Sequence, residues 1–254
     1  MFIESIKKAF ELLFTFDNEV YSIVLTTLNI TAISVVIAGC FSILLAAFID
    51  LMNPRFKKIL TAFFNSLLAI PTVIIGLFVY MFISNSGPLG DFKLLFTPAA
   101  IVIGQIILAI PIITSFILAG LSKTDLLLHE TLTTLGAKKI DRIKAIVMEN
   151  RILILSAVLA GFGRIVSELG ISMMLGGNIR WYTRTITTAI ALETGKGEFA
   201  LALALGFILI FLAMFINFSA YIVLKNDNLL IFDIILNKVR GKLNRDLREH
   251  DIYN

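Results

Sequence analysis

A basic and an acidic residue lie within an otherwise apolar stretch of the sequence, residues 152–175. Arg164 and Glu168 are four positions apart, so on a helix they share one face and can form an ion pair. Charged side chains in apolar surroundings are costly unless they are paired or reach water. Two interpretations stay open. The pair orders an interface between two copies of the chain, or Arg164, Ser167 and Glu168 line a polar path.

A second polar cluster follows at residues 176–188, where two arginines stand among glycines and threonines. Guanidinium and hydroxyl donors match the oxygens of a tetrahedral oxyanion. Asn178, Thr183 and Arg184 are therefore candidates to line a path for such an anion. The alternative is an ordinary loop in which Trp181 and Tyr182 act as anchors at an apolar–aqueous boundary.

The composition indicates where these side chains must be positioned. Of the 254 residues, 58% are hydrophobic and only 16% are charged, and the mean hydropathy is +0.92. A water-soluble domain of this length would expose larger apolar patches than soluble monomers tolerate. The sequence therefore predicts an all-α membrane protein.

The apolar runs predict about five transmembrane helices, because a helix needs about 20 mostly apolar residues to cross a bilayer. Pro71 and Pro111 fall inside the second and third runs and predict kinks, since proline lacks a backbone donor. The uncharged stretch 185–192 is too short to span and predicts a re-entrant helix. The predicted spans, within a transmembrane domain at 20–224, are residues 20–49, 59–83, 97–121, 152–175 and 199–224.

The two ends of the chain differ from the spans. In residues 1–19, apolar side chains recur at helical spacing between charged ones, which predicts an amphipathic helix at the membrane surface. A poorly ordered extension is the alternative. Residues 225–254 form a basic tail, for which we expect a solvated helix held near anionic lipid.

Orientation follows from the distribution of Lys and Arg, which are enriched in cytoplasmic loops. With five spans, the loop at 50–58, the segment at 122–151 and the tail lie on one side and carry fifteen of these residues. The opposite side carries six. We therefore expect an extracytoplasmic N-terminus and a cytoplasmic C-terminus, in a multi-pass protein of the plasma membrane.

The segment at 122–151 is too polar to cross the membrane and too long to be an unstructured loop. Leu128, Leu132 and Leu135 form an apolar stripe on one short helix, and Gly136 follows where a left-handed C-cap is needed. A second stripe follows at 140–147. Such helices suit docking into a groove of another protein. Packing on the chain's own bundle or on lipid is an equal alternative on physical grounds.

This segment resembles the coupling loop of ABC importer permeases, whose pattern is E-A-A…G…I-x-L-P. Gly136 follows Glu130 by six positions and precedes Ile146 by ten, as in that family. The sequence departs from the pattern at Thr131 and Leu132, where alanines are usual, and at Glu149, where proline is usual.

Residues 161–198 resemble the matching part of molybdate- and tungstate-type permeases, and are most similar to the tungstate branch. The elements that carry this resemblance are Gly-Arg-x-x-Ser-Glu, Gly-Gly-Asn-Ile and Thr-Arg-Thr-Ile-Thr-Thr-Ala-Ile. The resemblance covers roughly residues 20–224.

The resemblance implies a type I, MetI-like permease that works as a homodimer and imports a tetrahedral oxyanion, tungstate or molybdate. It implies two copies of a separate ATP-binding subunit, which hold ATP and magnesium, and an extracytoplasmic solute-binding protein. No cofactor is expected in this chain. The residues expected to couple to the ATPase are Glu130, Leu132, Leu135, Gly136, Ala137 and Ile146.

Other functions are less consistent with the sequence. It contains no Gly-x-x-x-x-Gly-Lys-Ser/Thr motif, so we expect no ATPase site of that kind. Its two histidines, His129 and His250, are too far apart in sequence for a histidine metal cluster, and the net charge of +4 reflects loop positions rather than nucleic-acid binding. A permease for sulfate, phosphate or an amino acid is the main alternative. A secondary transporter is a weaker one, because five spans do not divide into two inverted halves.

Overall fold

A computed structural model describes residues 2–15, 17–122, 134, 136–219 and 221–222. These residues form α-helices, one 3₁₀ turn and connecting loops, and no β-strand occurs among them. The all-α prediction is therefore confirmed. Three predicted coupling residues, Glu130, Leu132 and Leu135, lie outside the described residues, as does the basic tail at 225–254.

The chain begins with helix α1, Phe2–Phe14, followed by the long helix α2, Asn18–Asp50. Asp17 caps α2, because its carboxylate accepts hydrogen bonds from the backbone N–H groups of Glu19 and Val20. The Phe10 ring of α1 stacks on Phe207 with 5.6 Å between centroids. The amphipathic first segment is thus a helix that packs against the last described helix.

The second predicted span is divided into helices α3, Pro54–Leu67, and α4, Thr72–Ile83. Their axes differ by 88°. Pro71 lies at the N-cap of α4, where the missing donor costs nothing because the first backbone N–H groups of a helix have no intrahelical partner. The proline predicted to kink a helix therefore stands where two helices meet.

The 3₁₀ turn Gly90–Phe92 leads to helix α5, Pro98–Leu121, which continues through Pro111 as one helix. Helix α5 forms the centre of the fold and packs along α2, where Ser42 Oγ donates to the Ile110 carbonyl over 3.1 Å. Glycine also allows a neighbouring helix to approach α5 closely. A Cβ added at Gly161 would lie 2.6 Å from Ile113 Cγ1 of α5.

Three helices follow Gly136 in the described part of the chain: α6, Lys139–Glu149, α7, Arg151–Val166, and α8, Gly170–Gly176. Helices α6 and α7 meet at 72°. The stretch predicted as one span at 152–175 is two helices in the structure, separated by residues 167–169. Helix α8 packs against α4. The short helix after the α3–α4 break and the short helix after the α7–α8 break therefore lie side by side.

The remaining described helices are α9, Ile186–Lys196, and α10, Phe199–Ser219. Helix α9 includes most of the stretch predicted to be re-entrant. By length and composition, α2, α5 and α10 can each cross a membrane, and the described residues provide up to five spans if each bent pair counts as one. Many large apolar side chains of α2, α4 and α10 are exposed, which suits lipid or a partner helix.

Candidate functional site

The break between α7 and α8 brings polar groups into the helix bundle, and we call this region the Glu168 junction: Arg164, Ser167, Glu168, Gly170 and Thr187. The Glu168 side chain is 4% exposed. Its Oε1 accepts hydrogen bonds from the backbone N–H groups of Gly170, at 2.9 Å, and Ile171, at 3.4 Å. The carboxylate therefore satisfies donors at the start of α8, which favours a helix beginning there.

Arg164 and Glu168 form the ion pair that their spacing predicted, with 3.6 Å between Arg164 Nη1 and Glu168 Oε2. The two partners differ in environment, since the Arg164 side chain is 50% exposed. Ser167 is also exposed, and its hydroxyl donates to the Arg164 carbonyl over 3.1 Å. The junction therefore presents a guanidinium and a hydroxyl outward while its carboxylate stays inside.

The first turns of two other helices reach the Glu168 junction. Thr187 Oγ1, in the first turn of α9, donates to the Glu168 carbonyl over 2.9 Å. A Cβ at Gly170 would lie 3.3 Å from Thr72 Oγ1, so the start of α4 is adjacent to the start of α8. Helix N-termini carry partial positive charge. The starts of α4, α8 and α9 lie close together here, and their partial positive charge favours the buried carboxylate of Glu168.

A second polar region, the Glu19 cluster, consists of Glu19, Arg180, Arg184, Glu193 and Lys196. It joins the start of α2 to the loop after α8 and to α9. Arg184 Nη1 lies 3.0 Å from Glu19 Oε1 and 3.9 Å from Glu193 Oε1. Arg180 contacts both carboxylate oxygens of Glu19, and Lys196 Nζ lies 2.9 Å from Glu193. Three cations thus surround two carboxylates.

The two arginines of the Glu19 cluster differ in burial. The side chain of Arg184 is 10% exposed and that of Arg180 is 56% exposed. The hydrogen bond from Arg180 to Glu19, followed by the charge of that carboxylate, raises the pKa of Arg180 above its ordinary value. The Arg180 guanidinium also lies 5.3 Å from the ring centroid of Trp181, an exposed residue with a φ of 65°.

Asn178 and Thr183 stabilise the loop between these regions. Thr183 is fully buried, and its hydroxyl donates to the Gly176 carbonyl and accepts from the Ile179 N–H. Asn178 Nδ2 donates to the Thr188 carbonyl over 3.3 Å. The structure thus separates the predicted path residues. Arg164, Ser167 and Glu168 meet at the junction, Arg184 belongs to the Glu19 cluster, and Asn178 and Thr183 bond to backbone in the loop.

Of the predicted coupling residues, Gly136, Ala137 and Ile146 are described. Gly136 has a φ of 67°, the left-handed conformation that glycine adopts without strain. Ile146 is 1% exposed and belongs to the main apolar core, where α6 packs against α2. Most of the apolar stripe of α6, Ile143, Ile146 and Val147, therefore packs on this chain's own bundle, while Ile140 of the same stripe and Met148 are exposed.

The residues of these sites that were not predicted from the sequence are Gly170, Thr187, Glu19, Arg180, Glu193 and Lys196. Glu19 is 161 and 165 positions from the two arginines that it contacts, whereas Glu193 and Lys196 lie in the helix that follows those arginines. Thr187 is one threonine among several. One signal in the sequence could have indicated the contact with Glu19. With five predicted spans, Glu19 lies on the same predicted side of the membrane as Arg180 and Arg184. Among the described residues there is no group of three or more metal-ligating side chains.

The fold and the site define the class of the protein. Residues 39–226 match the family described as binding-protein-dependent transport system inner membrane components, and this chain belongs to that family. It is therefore a multi-pass membrane permease subunit. A bacterial alginate ABC transporter, solved with a periplasmic protein bound to an alginate pentasaccharide, shares the fold: the TM-score is 0.64 at 20% identity, over 83% of this chain and 80% of that one.

Two curated relatives are more similar in sequence. The tungstate uptake system permease protein of Campylobacter jejuni is 38% identical over 221 residues, which covers 86% of this chain and 91% of that protein. The tungstate uptake system permease protein of Peptoclostridium acidaminophilum is 35% identical over 218 residues, which covers 86% and 96%. The predicted membership of the type I ABC permeases, on the tungstate side, is thereby confirmed.

Proposed function

We propose that this chain forms the transmembrane path of an ABC importer for a tetrahedral oxyanion of the tungstate type. The observation that carries the proposal is the 38% and 35% identity to two tungstate permeases over most of both partners' lengths. The Glu168 junction supports it, since a half-exposed guanidinium and neighbouring hydroxyls are suitable donors for anion oxygens. Molybdate shares this geometry and charge and is the next substrate to test.

The importer would contain two copies of this chain, two ATP-binding subunits and an extracytoplasmic solute-binding protein. ATP and magnesium would be held by the ATP-binding subunits, which would dock on residues 122–151. The anchoring of α6 to the core through Ile146 supports this docking, because it joins the C-terminal part of the segment to the bundle. Movement of the ATP-binding subunits would then be transmitted to α2 and α7.

In this arrangement the anion would pass close to Arg164. Its guanidinium is held near Glu168 at 3.6 Å but remains half exposed, so it can contact an anion without leaving the carboxylate unsatisfied. Ser167 and Glu168 would line the same place. Asn178, Thr183 and Arg184 would act on the path by holding the loop and the start of α2 in position.

Orientation follows from charge. With the N-terminus outside, the Glu19 cluster lies at the extracytoplasmic end of the bundle and α6 at the cytoplasmic end. The Lys and Arg distribution supports this assignment, with fifteen on the α6 side and six on the other. The solute-binding protein would then deliver its anion at the end where Arg180 and Trp181 are exposed.

The test is reconstitution of this chain with its ATP-binding subunits in proteoliposomes, followed by ATPase and uptake assays with liganded binding protein. We expect stimulation by tungstate, compared directly with molybdate and sulfate. Equal or better uptake of sulfate, phosphate or an amino acid would replace the proposed substrate. Uptake that persists without ATP and collapses with the ion gradient would replace the ABC mechanism with secondary transport.

A further inference from the structure

Three threonines stand at the start of α9, and their hydroxyls have different partners. Thr185 is the N-cap residue, and its side chain and that of Thr188 each accept from the other's backbone N–H in a capping box. That box serves the local needs of the helix start. Thr187 is not part of the box, and its buried hydroxyl donates to the Glu168 carbonyl over 2.9 Å. The Thr187 hydroxyl therefore makes a contact between two elements of the fold.

The hydroxyl of Thr187 has a single proton, which fixes the direction of its contacts. Because Thr187 donates that proton to the Glu168 carbonyl, it is the acceptor in the 3.2 Å contact between Thr185 Oγ1 and Thr187 Oγ1. Thr187 thus lies between the cap of α9 and Glu168. A valine at this position would have a similar shape and neither contact, whereas a serine would keep both.

The acceptor of the Thr187 bond lies in the break between two helices. Residues 167–169 separate α7 from α8, so Glu168 belongs to neither helix. Its carbonyl also accepts from Ser172 Oγ, on α8, over 3.2 Å. The Ser172 bond stays within one segment of the chain, whereas Thr187 is 19 positions from Glu168 and lies on α9. Of these two hydroxyls, Thr187 is the one that joins the break to another helix.

The position of Glu168 in turn affects Arg164. Glu168 Oε1 accepts from the backbone N–H of Gly170 over 2.9 Å, and Glu168 Oε2 lies 3.6 Å from Arg164 Nη1. Both contacts depend on where the backbone of Glu168 is held, because one side chain makes both. Thr187 can therefore act on Arg164 through Glu168.

Helix α9 is also held near its other end. Glu193 Oε1 lies 3.9 Å from Arg184 Nη1, and the same Arg184 atom lies 3.0 Å from Glu19 Oε1 on α2. One helix of 11 residues thus contacts the Glu19 cluster through Glu193 and the Glu168 junction through Thr187. A displacement of the Glu19 cluster would reach the junction through this helix.

We propose that Thr187 is a positioning residue of the importer, which holds the break between α7 and α8 against α9 so that Arg164 faces the passing anion. This role rests on the proposed function, because it needs an anion path at Arg164. Through α9, Thr187 also connects the path to the Glu19 cluster, at the end of the bundle where the solute-binding protein would deliver its anion.

The experiment uses the complete importer in proteoliposomes, with ATP-dependent tungstate uptake measured per folded importer. Thr187→Val removes a buried hydrogen bond, and we expect about a tenfold fall in uptake. Thr187→Ser keeps the hydroxyl and should restore most of the uptake. The matched control is Thr194→Val, an exposed threonine on the same helix, which should leave uptake unchanged.

A double-mutant cycle separates positioning from a purely structural role. If Thr187 acts through Arg164, Thr187→Val should lower uptake little further once Arg164→Gln is present. Losses that multiply independently would show that Thr187 only stabilises the fold, and would overturn the proposal. Equal losses of uptake in Thr187→Val and Thr187→Ser would overturn it too.

Hydrogen exchange provides a measurement that does not need transport. Because Glu168 Oε1 accepts from the amides of Gly170 and Ile171, we expect both to exchange about tenfold faster in Thr187→Val and at the wild-type rate in Thr187→Ser. Unchanged exchange in Thr187→Val contradicts the proposal. Faster exchange in that variant alone, in an importer whose wild type takes up no tungstate, would refute the proposed function and leave the positioning of the junction by Thr187 standing.

Discussion

Arg184 and Glu19 are 165 positions apart in the chain, yet 3.0 Å separates Arg184 Nη1 from Glu19 Oε1. This ion pair joins the loop before α9 to the first turn of α2. It is the buried part of the Glu19 cluster, because the Arg184 side chain is 10% exposed and the Glu19 side chain 20%. Arg184 is therefore already engaged by two carboxylates, Glu19 and Glu193, and is not a guanidinium held ready for an anion.

Replacing Arg184 tests whether this pair holds the fold. Arg184→Ala leaves Glu193 and part of Glu19 without their buried partner, so we expect a loss of roughly 2 kcal/mol or more in the free energy of unfolding. The melting temperature in detergent measures it. Arg180→Ala is the matched control, with a smaller expected loss because that side chain is mostly exposed.

Transport separates a structural role of Arg184 from a role in the path. We expect Arg184→Ala to lower oxyanion uptake while the ATP-binding subunits stay bound, as judged by co-purification. Normal uptake by a stable Arg184→Ala protein would remove this residue from any account of the path.

At the Glu168 junction we expect substitution of Glu168 to lower stability, and substitution of Arg164 to lower uptake. Glu168→Ala removes the acceptor for two N–H groups at the start of α8 and should destabilise the protein by about 1–2 kcal/mol, as loss of a helix cap does. Glu168→Gln keeps an oxygen there and should recover part of that loss. Thermal unfolding of the three proteins provides the comparison.

Arg164→Gln should leave stability nearly unchanged, because the side chain is half exposed and its distance to Glu168 is 3.6 Å. If the anion passes this guanidinium, uptake falls by about tenfold through loss of one charge-assisted hydrogen bond. Arg55→Gln on α3, also exposed, serves as the charge-matched control. A fall in stability with no specific fall in uptake would favour the alternative, a pair that orders the interface between two copies.

Gly136 predicts a backbone effect on coupling. A Cβ at this position meets no atom within 4 Å, so only its φ of 67° disfavours a side chain. Gly136→Val should therefore weaken stimulation of the ATPase by liganded binding protein, while Gly136→Asn, which tolerates this conformation, should retain most of it. Gly136→Pro and Glu130→Arg should abolish stimulation. Equal activity in the Val and Asn variants would show that the left-handed turn is not needed for coupling.

The contact between α5 and α7 predicts a compensating pair. Gly161→Ala places a Cβ only 2.6 Å from Ile113 Cγ1 and should cost roughly 1–3 kcal/mol through overpacking. Ile113→Ala removes Cγ1 and Cδ1, the atoms closest to that Cβ, so the double variant should lose less stability than the sum of the two single variants. Thermal unfolding of both single variants and the double variant measures the coupling energy.

Much of the fold followed from local patterns. Long apolar runs predict spanning helices because the bilayer requires apolar surface and internally satisfied backbone, and α2 and α5 lie where these runs are. The four-residue spacing of Arg164 and Glu168 predicted their ion pair for the same local reason. The spacing of Glu130, Gly136 and Ile146 indicated the family before any contact was known.

The breaks in the spans were decided by tertiary contacts. Residues 152–175 look continuous by hydropathy, but α7 ends at Val166 because Glu168 caps a new helix whose start packs beside Thr72 and Thr187. Similarly, the sequence shows Glu19 only as an acidic residue in the first turn of a helix. Its ion pairs with Arg180 and Arg184 arise from the tertiary structure.

The sequence by itself therefore determined the class of protein, the approximate positions of the helices and the coupling segment, because each depends on neighbouring residues or on a short motif. Only the tertiary structure decided which charges meet, where the spans break and which helix ends pack together. These features depend on pairs such as Glu19 and Arg184, which are 165 positions apart in the chain, and no local periodicity encodes such a pairing.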